Sequence, residues 1–381
     1  MISALRHFRV AAERISDRMQ LKMVLRKPQL LIRMTRVLMT HALTNKTVIW
    51  DFAMSVTPEC NLSCEHCFDR AFSLNAERDG TKRKLTTQEL VAVVREQLAL
   101  GVVSFSFQGG EVFYRKDLEQ IIKACEPHRS YVTIITNGIL FTDETAAKLK
   151  RWGVDNIMVS IDSGIAEEHD AFRKHEGTLK AATEAIDRAR RLGFACTIAT
   201  TVTHQSLRSD GFRKIYEFAK ERKILQFIFI AIPVGNWNSR DDLVLDEADS
   251  AYLDQLNRES GGTLRRDLHP HLFREGCPAV KESVYMSPYG DILPCPFLHT
   301  SLGNVREHTS ADIIGRAMEE VEEFRVHTPT CLIAEDKDFI ARFGSKTFDA
   351  EDGPVDGEAL YEFKRRLPRR AVPLGEEPQG S

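Results

Sequence analysis

Short apolar runs alternate with amphipathic segments between Val48 and residue 235. The runs are rich in Val, Ile, Phe and Thr, which is typical of β-strands. Six strands separated by helices predict parallel βαβ units that close into a barrel or a partial barrel. In such a barrel the reactive residues lie on the loops that follow the strands. The runs cover residues 48–56, 102–108, 131–136, 154–162, 194–203 and 225–233.

The segments between the runs carry helix start and stop signals. Thr86 and Glu89 have capping-box spacing, and Gly101 sits where a helix C-cap belongs. Gly153 and Gly193 follow the ends of two later helices in the same way. The predicted helices cover residues 86–101, about 117–126, 143–152, 178–192 and 211–222.

The charge of the chain is uneven along its length. The formal net charge is −3, but residues 1–45 hold nine Arg or Lys against two acids, so the remainder carries about −10. This balance excludes nucleic-acid binding by the whole chain. No uncharged apolar run reaches the roughly 18–20 residues that a membrane span needs.

The basic N-terminus predicts two helices. In the first, Leu5, Phe8, Ala12, Ile15 and Met19 share one apolar face; Pro28 then breaks the helix and a second begins near Leu30. The main expectation is that both helices pack on the side or bottom of the barrel. Peripheral contact with an anionic membrane and binding of a leader peptide stay open as alternatives.

Three cysteines, Cys60, Cys64 and Cys67, follow the first strand within eight residues. A closed zinc site usually needs four N or S ligands, and no partner pair lies nearby. A chain of 381 residues with 8 Cys and no secretory signal also predicts reduced thiols in a cytoplasmic protein. Three thiolates on a four-iron cluster leave one iron open to a second molecule.

This triplet, with His66 before the last cysteine and Phe68 after it, resembles the cluster-binding loop of radical S-adenosylmethionine (SAM) enzymes. The resemblance implies a 4Fe-4S cluster on Cys60, Cys64 and Cys67, SAM on its open iron, and His66 in the cofactor site. It extends over about residues 48–235.

Other loops after strands match the family's polar motifs. Gly109, Gly110 and Glu111 resemble its GGE motif, whose backbone and acid hold the amino group of SAM, although Val112 replaces the usual Pro. The resemblance also implies contacts from Asn137, Ser160 and Asp162; a turn-capping role for Asp162 is an equal alternative. Weaker candidates for lining the site are Thr201, Thr203 and Pro233.

A second group of cysteines, Cys277, Cys295 and Cys331, lies beyond the barrel. Its spacing, with Gly290, resembles the auxiliary-cluster module called SPASM or its shorter form, twitch. A complete SPASM module has more cysteines, so the resemblance implies one auxiliary 4Fe-4S cluster. The fourth ligand stays open among His299, His327, Asp336, a residue of the tail, water and the substrate; a zinc site is the alternative. Cys125 and Cys196 lack companions and are predicted core residues.

The predicted fold class is therefore α/β, a partial (βα)6 TIM-like barrel followed by a small α+β twitch/SPASM-like module. The predicted parts are a basic helical segment at 1–47, the barrel at 48–235, the auxiliary-cluster domain at 236–345, and a partly disordered tail at 346–381.

The resemblance implies a radical SAM oxidoreductase or maturase. It would cleave SAM to a 5′-deoxyadenosyl radical and take hydrogen from a substrate, with a ferredoxin or flavodoxin as reductant. A peptide or natural-product precursor is the first substrate hypothesis. A small molecule or membrane lipid is the second, and a non-catalytic iron-sulfur or zinc protein is the third.

Overall fold

The apolar runs form strands of five to eight residues that follow one another along the chain. The computed structural model describes residues 26–44, 48–69, 83–238, 240–266, 276–348 and 354–376. The strands are β1 Asp51–Ser55, β2 Ser104–Gln108, β3 Tyr131–Thr136, β4 Asn156–Ser160, β5 Ala195–Val202, β6 Leu225–Ile230, β7 Leu264–Arg266, β8 Ser283–Met286, β9 Asp291–Leu293, β10 Thr300–Ser301, β11 Gly303–Asn304 and β12 Val355–Asp356.

One sheet joins ten of these strands in the order β11-β9-β8-β1-β2-β3-β4-β5-β6-β7. Strands β1 to β7 are parallel and follow chain order, as expected for βαβ units. Strand β8 returns to pair with β1, and β9 and β11 continue antiparallel. No ladder joins β7 to β11 in the described part of the chain, so the sheet is a partial barrel. The predicted fold class is confirmed, and the sheet continues across residue 235.

Helices cover the outside of the sheet. The five predicted helices are present with small differences at their ends, and the capping box of Thr86 and Glu89 and the left-handed Gly101 are confirmed. The helices are α1 Pro28–Thr44, α2 Thr87–Leu100, α3 Leu118–Ala124, α4 Asp143–Trp152, α5 Ala166–Arg173, α6 Thr178–Arg191, α7 Asp210–Arg222, α8 Glu247–Glu259, α9 Ser310–Glu320, α10 Glu322–Arg325, α11 Lys337–Phe339, α12 Ser345–Phe348 and α13 Gly357–Tyr361.

Helix α1 closes the bottom of the barrel, where the strands begin. Leu30 and Val37 are buried against Val103, which immediately precedes β2. The Lys27 ammonium lies 2.6 Å from Asp155, and Arg33 Nη2 donates to the carbonyls of Leu98 and Val102. Packing on the barrel is thus confirmed for the second predicted helix, which starts at Pro28 because Pro is favourable in the first turn. The predicted helix over residues 5–22 lies outside the described residues.

The described C-terminal segment, residues 354–376, packs on the barrel. Arg370 Nη1 and Nη2 lie 2.5 and 2.9 Å from the carboxylate of Glu96 on α2. Leu374 is buried in the main core. The ion pair and the apolar contact outweigh the Pro- and Gly-rich composition.

None of the described helices combines the length and apolar character that crossing a membrane requires.

Candidate functional site

The glycine loop after β2 packs directly on the chain that leads into Cys60. Gly109 has φ +134°, and a Cβ there would lie 2.6 Å from Ser55 Oγ. A Cβ on Gly110 would lie 2.6 Å from the carbonyl carbon of Glu59. The amides of Gly110 and Glu111 donate to the carbonyls of Thr57 and Glu59 at 2.8 and 2.7 Å. Glycine at both positions therefore sets the position of the cysteine loop.

Glu111 turns its carboxylate toward the end of β3. It accepts hydrogen bonds from Thr136 Oγ1 at 2.9 Å and from the Asn137 amide at 3.0 Å, and only 1% of the residue is exposed. Burial raises the pKa of Glu111 to about 7, although the bonds from Asn137 and Thr136 partly oppose the rise. The carboxylate also interacts electrostatically with Cys60.

Asn137 ties the end of β3 to the cysteine loop. Its Nδ2 donates to Asn61 Oδ1 at 2.8 Å, next to Cys60, and its Oδ1 accepts from the Ile139 amide at 3.0 Å. The side chain is buried and makes one hydrogen bond through each of its amide atoms, so Asn137 positions the loop.

A buried ion pair lies behind Cys64. Arg173 Nε and Nη2 lie 2.7 and 2.6 Å from the Asp162 carboxylate, and Arg173 Nη1 donates to Cys64 Sγ at 3.7 Å. Asp162 also accepts from the Thr201 amide at 3.0 Å. Burial would raise the pKa of Asp162, but the facing Arg173 guanidinium outweighs it and lowers that pKa. Asp162 thus orients Arg173.

Sequence reasoning missed Arg173 because it missed helix α5. The segment AEEHDAFR is short and polar, and its N-cap, Ile165, makes no side-chain hydrogen bond. The one available signal was spacing, since Arg173 follows Asp162 by eleven residues in the loop region after β4.

His66 lies between two aromatic rings. Its imidazole stacks on Phe172 with centroids 4.7 Å apart and lies 5.8 Å from the Trp237 ring. Burial, reinforced by Arg173, lowers the pKa of His66 to about 3, so the ring is neutral. Its buried Nδ1 has no hydrogen-bond partner among the described residues, which leaves a polar atom free for a ligand.

The loop after β6 clamps the cysteine loop from the other side. Asn236 donates from its amide to the Cys67 carbonyl at 3.2 Å and from Nδ2 to the Cys64 carbonyl at 2.8 Å. Gly235 has φ +61°, and a Cβ there would lie 2.7 Å from Phe68 Cα. Pro233 is buried just before this loop.

A cavity opens at the carboxyl ends of the strands between the two cysteine regions. Phe68, next to Cys67, meets Phe297, two residues after Cys295, with ring centroids 5.1 Å apart. The cavity encloses about 100 Å³. Ser160 and Thr201 are in its wall, while Thr203 is engaged in a turn with Ser206. The lining residues are His66, Phe68, Gln108, Ile135, Ser160, Arg173, Ala199, Thr201, Phe229, Ile230, Ile232, Val234, Trp237, Pro296 and Phe297.

The second cysteine group comes together at the edge of the sheet formed by β8 and β9. Cys331 interacts electrostatically with both Cys277 and Cys295. The Cys277 amide donates to the Thr328 carbonyl at 2.8 Å, and the Cys331 amide donates to Glu335 at 2.9 Å. These bonds fix the segments that carry Cys277 and Cys331.

The candidates for a fourth ligand differ in availability. Asp336 accepts from the Phe339 amide at 2.9 Å as the N-cap of α11. His299 is 2% exposed, with Nε2 3.1 Å from the Pro296 carbonyl oxygen. His327 is exposed, and its Cε1 would lie 2.9 Å from a Cβ on Gly276. Cys125 and Cys196 are buried in the core, as predicted.

Neither cysteine group brings its three sulfurs within 4.8 Å of one another. A tetrahedral zinc with Zn–S near 2.3 Å brings its sulfurs to about 3.8 Å from one another. Among the described residues, three or more His, Cys, Asp or Glu ligand atoms lie mutually within 4.8 Å at one place only, His204, Asp246 and Asp249. Arg208 already pairs with Asp249 there. Neither cysteine trio is gathered for mononuclear zinc, and three thiols fit a four-iron cluster.

Comparisons with known proteins match both regions. A family model described as the Radical SAM superfamily matches residues 54–219, and one described as SPASM, an iron-sulfur cluster-binding domain, matches residues 277–335.

Individual relatives extend over most of the chain. AdoMet-dependent heme synthase of Methanosarcina barkeri is 28% identical over 313 residues, 74% of this chain and 85% of the relative. PqqA peptide cyclase of Granulibacter bethesdensis is 25% identical over 274 residues, 68% of this chain and 71% of the relative.

The fold is shared with a solved structure, Streptococcus suis SuiB bound to precursor peptide SuiA. The TM-score is 0.57 at 18% identity, over 76% of this chain and 69% of that chain.

Proposed function

The chain belongs to the radical SAM superfamily and carries a SPASM iron-sulfur domain, and we propose that it oxidises or cross-links a peptide or natural-product precursor. It is an enzyme whose cofactors are a SAM-binding 4Fe-4S cluster, SAM and an auxiliary 4Fe-4S cluster. When bound, these groups supply reductive cleavage of SAM to methionine and a 5′-deoxyadenosyl radical, hydrogen abstraction from the substrate, and an acceptor for one electron.

In this proposal Cys60, Cys64 and Cys67 hold the first cluster, and Cys277, Cys295 and Cys331 hold the second. Asp162 aims the Arg173 guanidinium into the cavity, where it suits an anionic group such as the SAM carboxylate. Ser160 offers a further polar contact in the same wall, which the His66 ring also lines. Gly109, Gly110, Glu111 and Asn137 fix the cysteine loop beside them.

The observation that carries the proposal is the cavity shared by both cysteine regions. His66 and Phe68 come from the first region, and Pro296 and Phe297 come from the second. A substrate in this cavity lies between the radical source and the electron acceptor. The mostly apolar wall excludes water, which protects a reactive intermediate.

Two substrate classes have support. A peptide is favoured by the printed names of PqqA peptide cyclase and of SuiB with its precursor peptide. A small aromatic molecule is the second candidate, because heme synthases match more of the chain and aromatic rings line the cavity. We further propose a cytoplasmic location and a ferredoxin or flavodoxin as electron donor.

The test is anaerobic reconstitution, iron and sulfide counting, and a SAM-cleavage assay with dithionite. Two four-iron clusters give about eight irons, and Ala at Cys277, Cys295 and Cys331 together should leave about four. The control replaces Cys125 and Cys196 by Ala and should keep about eight. Four irons in the wild type would contradict the assignment of Cys277, Cys295 and Cys331 as ligands of a second cluster. Absence of 5′-deoxyadenosine from a fully loaded enzyme would contradict the proposed activity.

A further inference from the structure

A large groove lies at the bottom of the barrel, at the end of the strands opposite the cysteine loops. It encloses about 610 Å³ between α1, the end of α2 and α9. Its walls are mainly apolar, with Val37, Leu100, Ile314 and Met318 prominent among them. We call it the basal groove; it is lined by Arg33, Arg36, Val37, Thr40, Val48, Ile49, Leu98, Leu100, Gly101, Arg129, Ala311, Ile314, Gly315 and Met318.

Three arginines line the basal groove with no acid among its lining residues. Arg33 uses Nη2 on two backbone carbonyls, while its buried Nη1 has no hydrogen-bond partner among the described residues. Arg129 pairs with Glu126 at 2.5 Å, and Arg36 projects from the exposed face of α1. Burial lowers the pKa of Arg33, and Arg129 and Arg36 lower it further, with Glu126 partly opposing. An anion in the groove would relieve this repulsion.

Apolar side chains are exposed on α1, the helix that carries Arg33 and Arg36. Ile32, Met39 and Leu43 are 54%, 45% and 76% exposed and follow one face of α1 by helical spacing. A free phosphate would pair with the arginines but leave these apolar surfaces in water. The basic segment over residues 1–25 would add positive charge to a groove that already has an excess. An anionic head joined to a long apolar chain matches both the charge and the walls.

We propose that the basal groove binds an anionic phospholipid at a membrane surface, with its phosphate on Arg33, Arg36 and Arg129 and an acyl chain along Val37, Ile314 and Met318. Exposed Ile32, Met39 and Leu43 then enter the interfacial layer. The contact holds the barrel by its base and leaves the catalytic mouth free.

The test measures flotation of the full chain with two kinds of phosphatidylcholine vesicle, one without phosphatidylglycerol and one with about 30 mol% of it. The wild type should bind the anionic vesicles. Arg36→Glu should weaken binding about 30-fold, because each unit of positive charge near an anionic surface contributes about fivefold and the substitution changes the charge by two units. Met318→Glu, which places a charge in the acyl path, should weaken it comparably. The matched control Lys180→Glu, exposed at the start of α6, should bind like the wild type.

Several outcomes overturn the proposal. The wild type could fail to bind anionic vesicles, or both groove variants could bind normally, which would assign binding to residues 1–25. If Arg36→Glu lost vesicle binding and Met318→Glu did not, binding would depend on surface charge and not on a lipid in the basal groove. An effect of Arg36→Glu on flavodoxin-driven turnover alone would indicate a protein partner. SAM cleavage with dithionite, measured without vesicles, should be equal in all variants, so this test is independent of the proposed function.

Discussion

At the scale of single residues, the site depends on side chains that hold other side chains. Asp162 holds Arg173, and Arg173 reaches Cys64 Sγ. Removing one partner of a buried ion pair leaves the other charge without compensation, which costs more than the pair contributes.

Asp162→Asn should therefore lower the free energy of unfolding by about 3–5 kcal/mol and reduce iron retention at the first site. Anaerobic urea unfolding and iron counting measure the two effects. Asp187→Asn is the control, because its partner Arg222 is 3.9 Å away and the Asp187 side chain is 61% exposed. Equal losses in the two variants would show that Arg173 needs no buried partner.

His299 gives the auxiliary module a dependence on pH. Burial lowers the pKa of His299 to about 4. Between about pH 6.5 and 4 this residue is therefore protonated in the unfolded chain and neutral in the folded chain. Stability should fall as the pH falls through this window, by about 2 kcal/mol between pH 6.5 and 5. The free energy of unfolding, measured at about pH 6.5 and pH 5, should decrease less in His299→Gln than in the wild type, by about the amount assigned to His299. An unchanged slope would mean that the ring protonates normally in the fold.

Gly110→Ala should displace the cysteine loop, because the added Cβ would lie 2.6 Å from the Glu59 carbonyl carbon. We expect iron content to fall from about eight to about four per chain. Gly315→Ala is the matched control, since its Cβ would meet nothing nearer than Arg365 Nη2 at 3.9 Å. The control should keep its iron and gain about 0.5–1 kcal/mol of helix stability. Full iron in Gly110→Ala would show that the two loops can separate.

The sequence predicted the residues of the site better than their contacts. The structure puts Ser160 and His66 in the cavity wall and brings the three later cysteines together. The sequence did not reveal that Asn137 binds Asn61 in the cysteine loop and Glu111 after β2, because these hydrogen bonds join residues 76 and 26 positions apart.

At the scale of elements, α1 depends on few polar contacts for its position. Lys27, just before the helix, reaches Asp155, which is almost fully buried before β4 and also accepts from the Val132 amide. Lys27, which precedes α1, is thus the counter-ion of a buried acid in the barrel.

Lys27→Met should destabilise the protein by about 1–3 kcal/mol, since Asp155 loses its counter-ion. Hydrogen exchange in α1 should rise together with the loss of unfolding free energy. Lys148→Met, from the exposed pair with Glu144, should cost less than about 0.5 kcal/mol. A similar effect in both variants would assign the position of α1 to its apolar contacts alone.

Elements with strong periodicity were predicted and those held by distant partners were not. Helices α2, α4, α6 and α7 have clear end signals or apolar faces. Helix α5 is short and polar, and strand β7 has three residues. Residues 354–376 are ordered through Glu96, which no local pattern could indicate.

At the scale of the whole molecule, one sheet joins both cysteine regions. Strand β8, which follows Cys277, is hydrogen-bonded along its length to β1, which precedes Cys60. The auxiliary module is therefore a continuation of the barrel sheet, and loss of its strands leaves β1 at an edge.

A chain ended after residue 238 should aggregate, because β1 then presents an unpaired edge. Size-exclusion chromatography of the refolded product measures this. A chain ended after residue 376, which keeps every strand, should elute like the full chain. A monomeric, cooperatively folded 238-residue product would show that the barrel is independent of β8.

The pairing of β1 with β8 also delays the completion of the first cysteine site during biosynthesis. Asp51 pairs with Ser283, 232 positions further along the chain. At about 5–20 residues per second, the ribosome supplies that partner roughly 10–50 s after β1 emerges. The cysteine loop reaches its final surroundings only after this delay, so iron delivered before β8 emerges meets an unfinished site, and cluster insertion should follow the synthesis of β8.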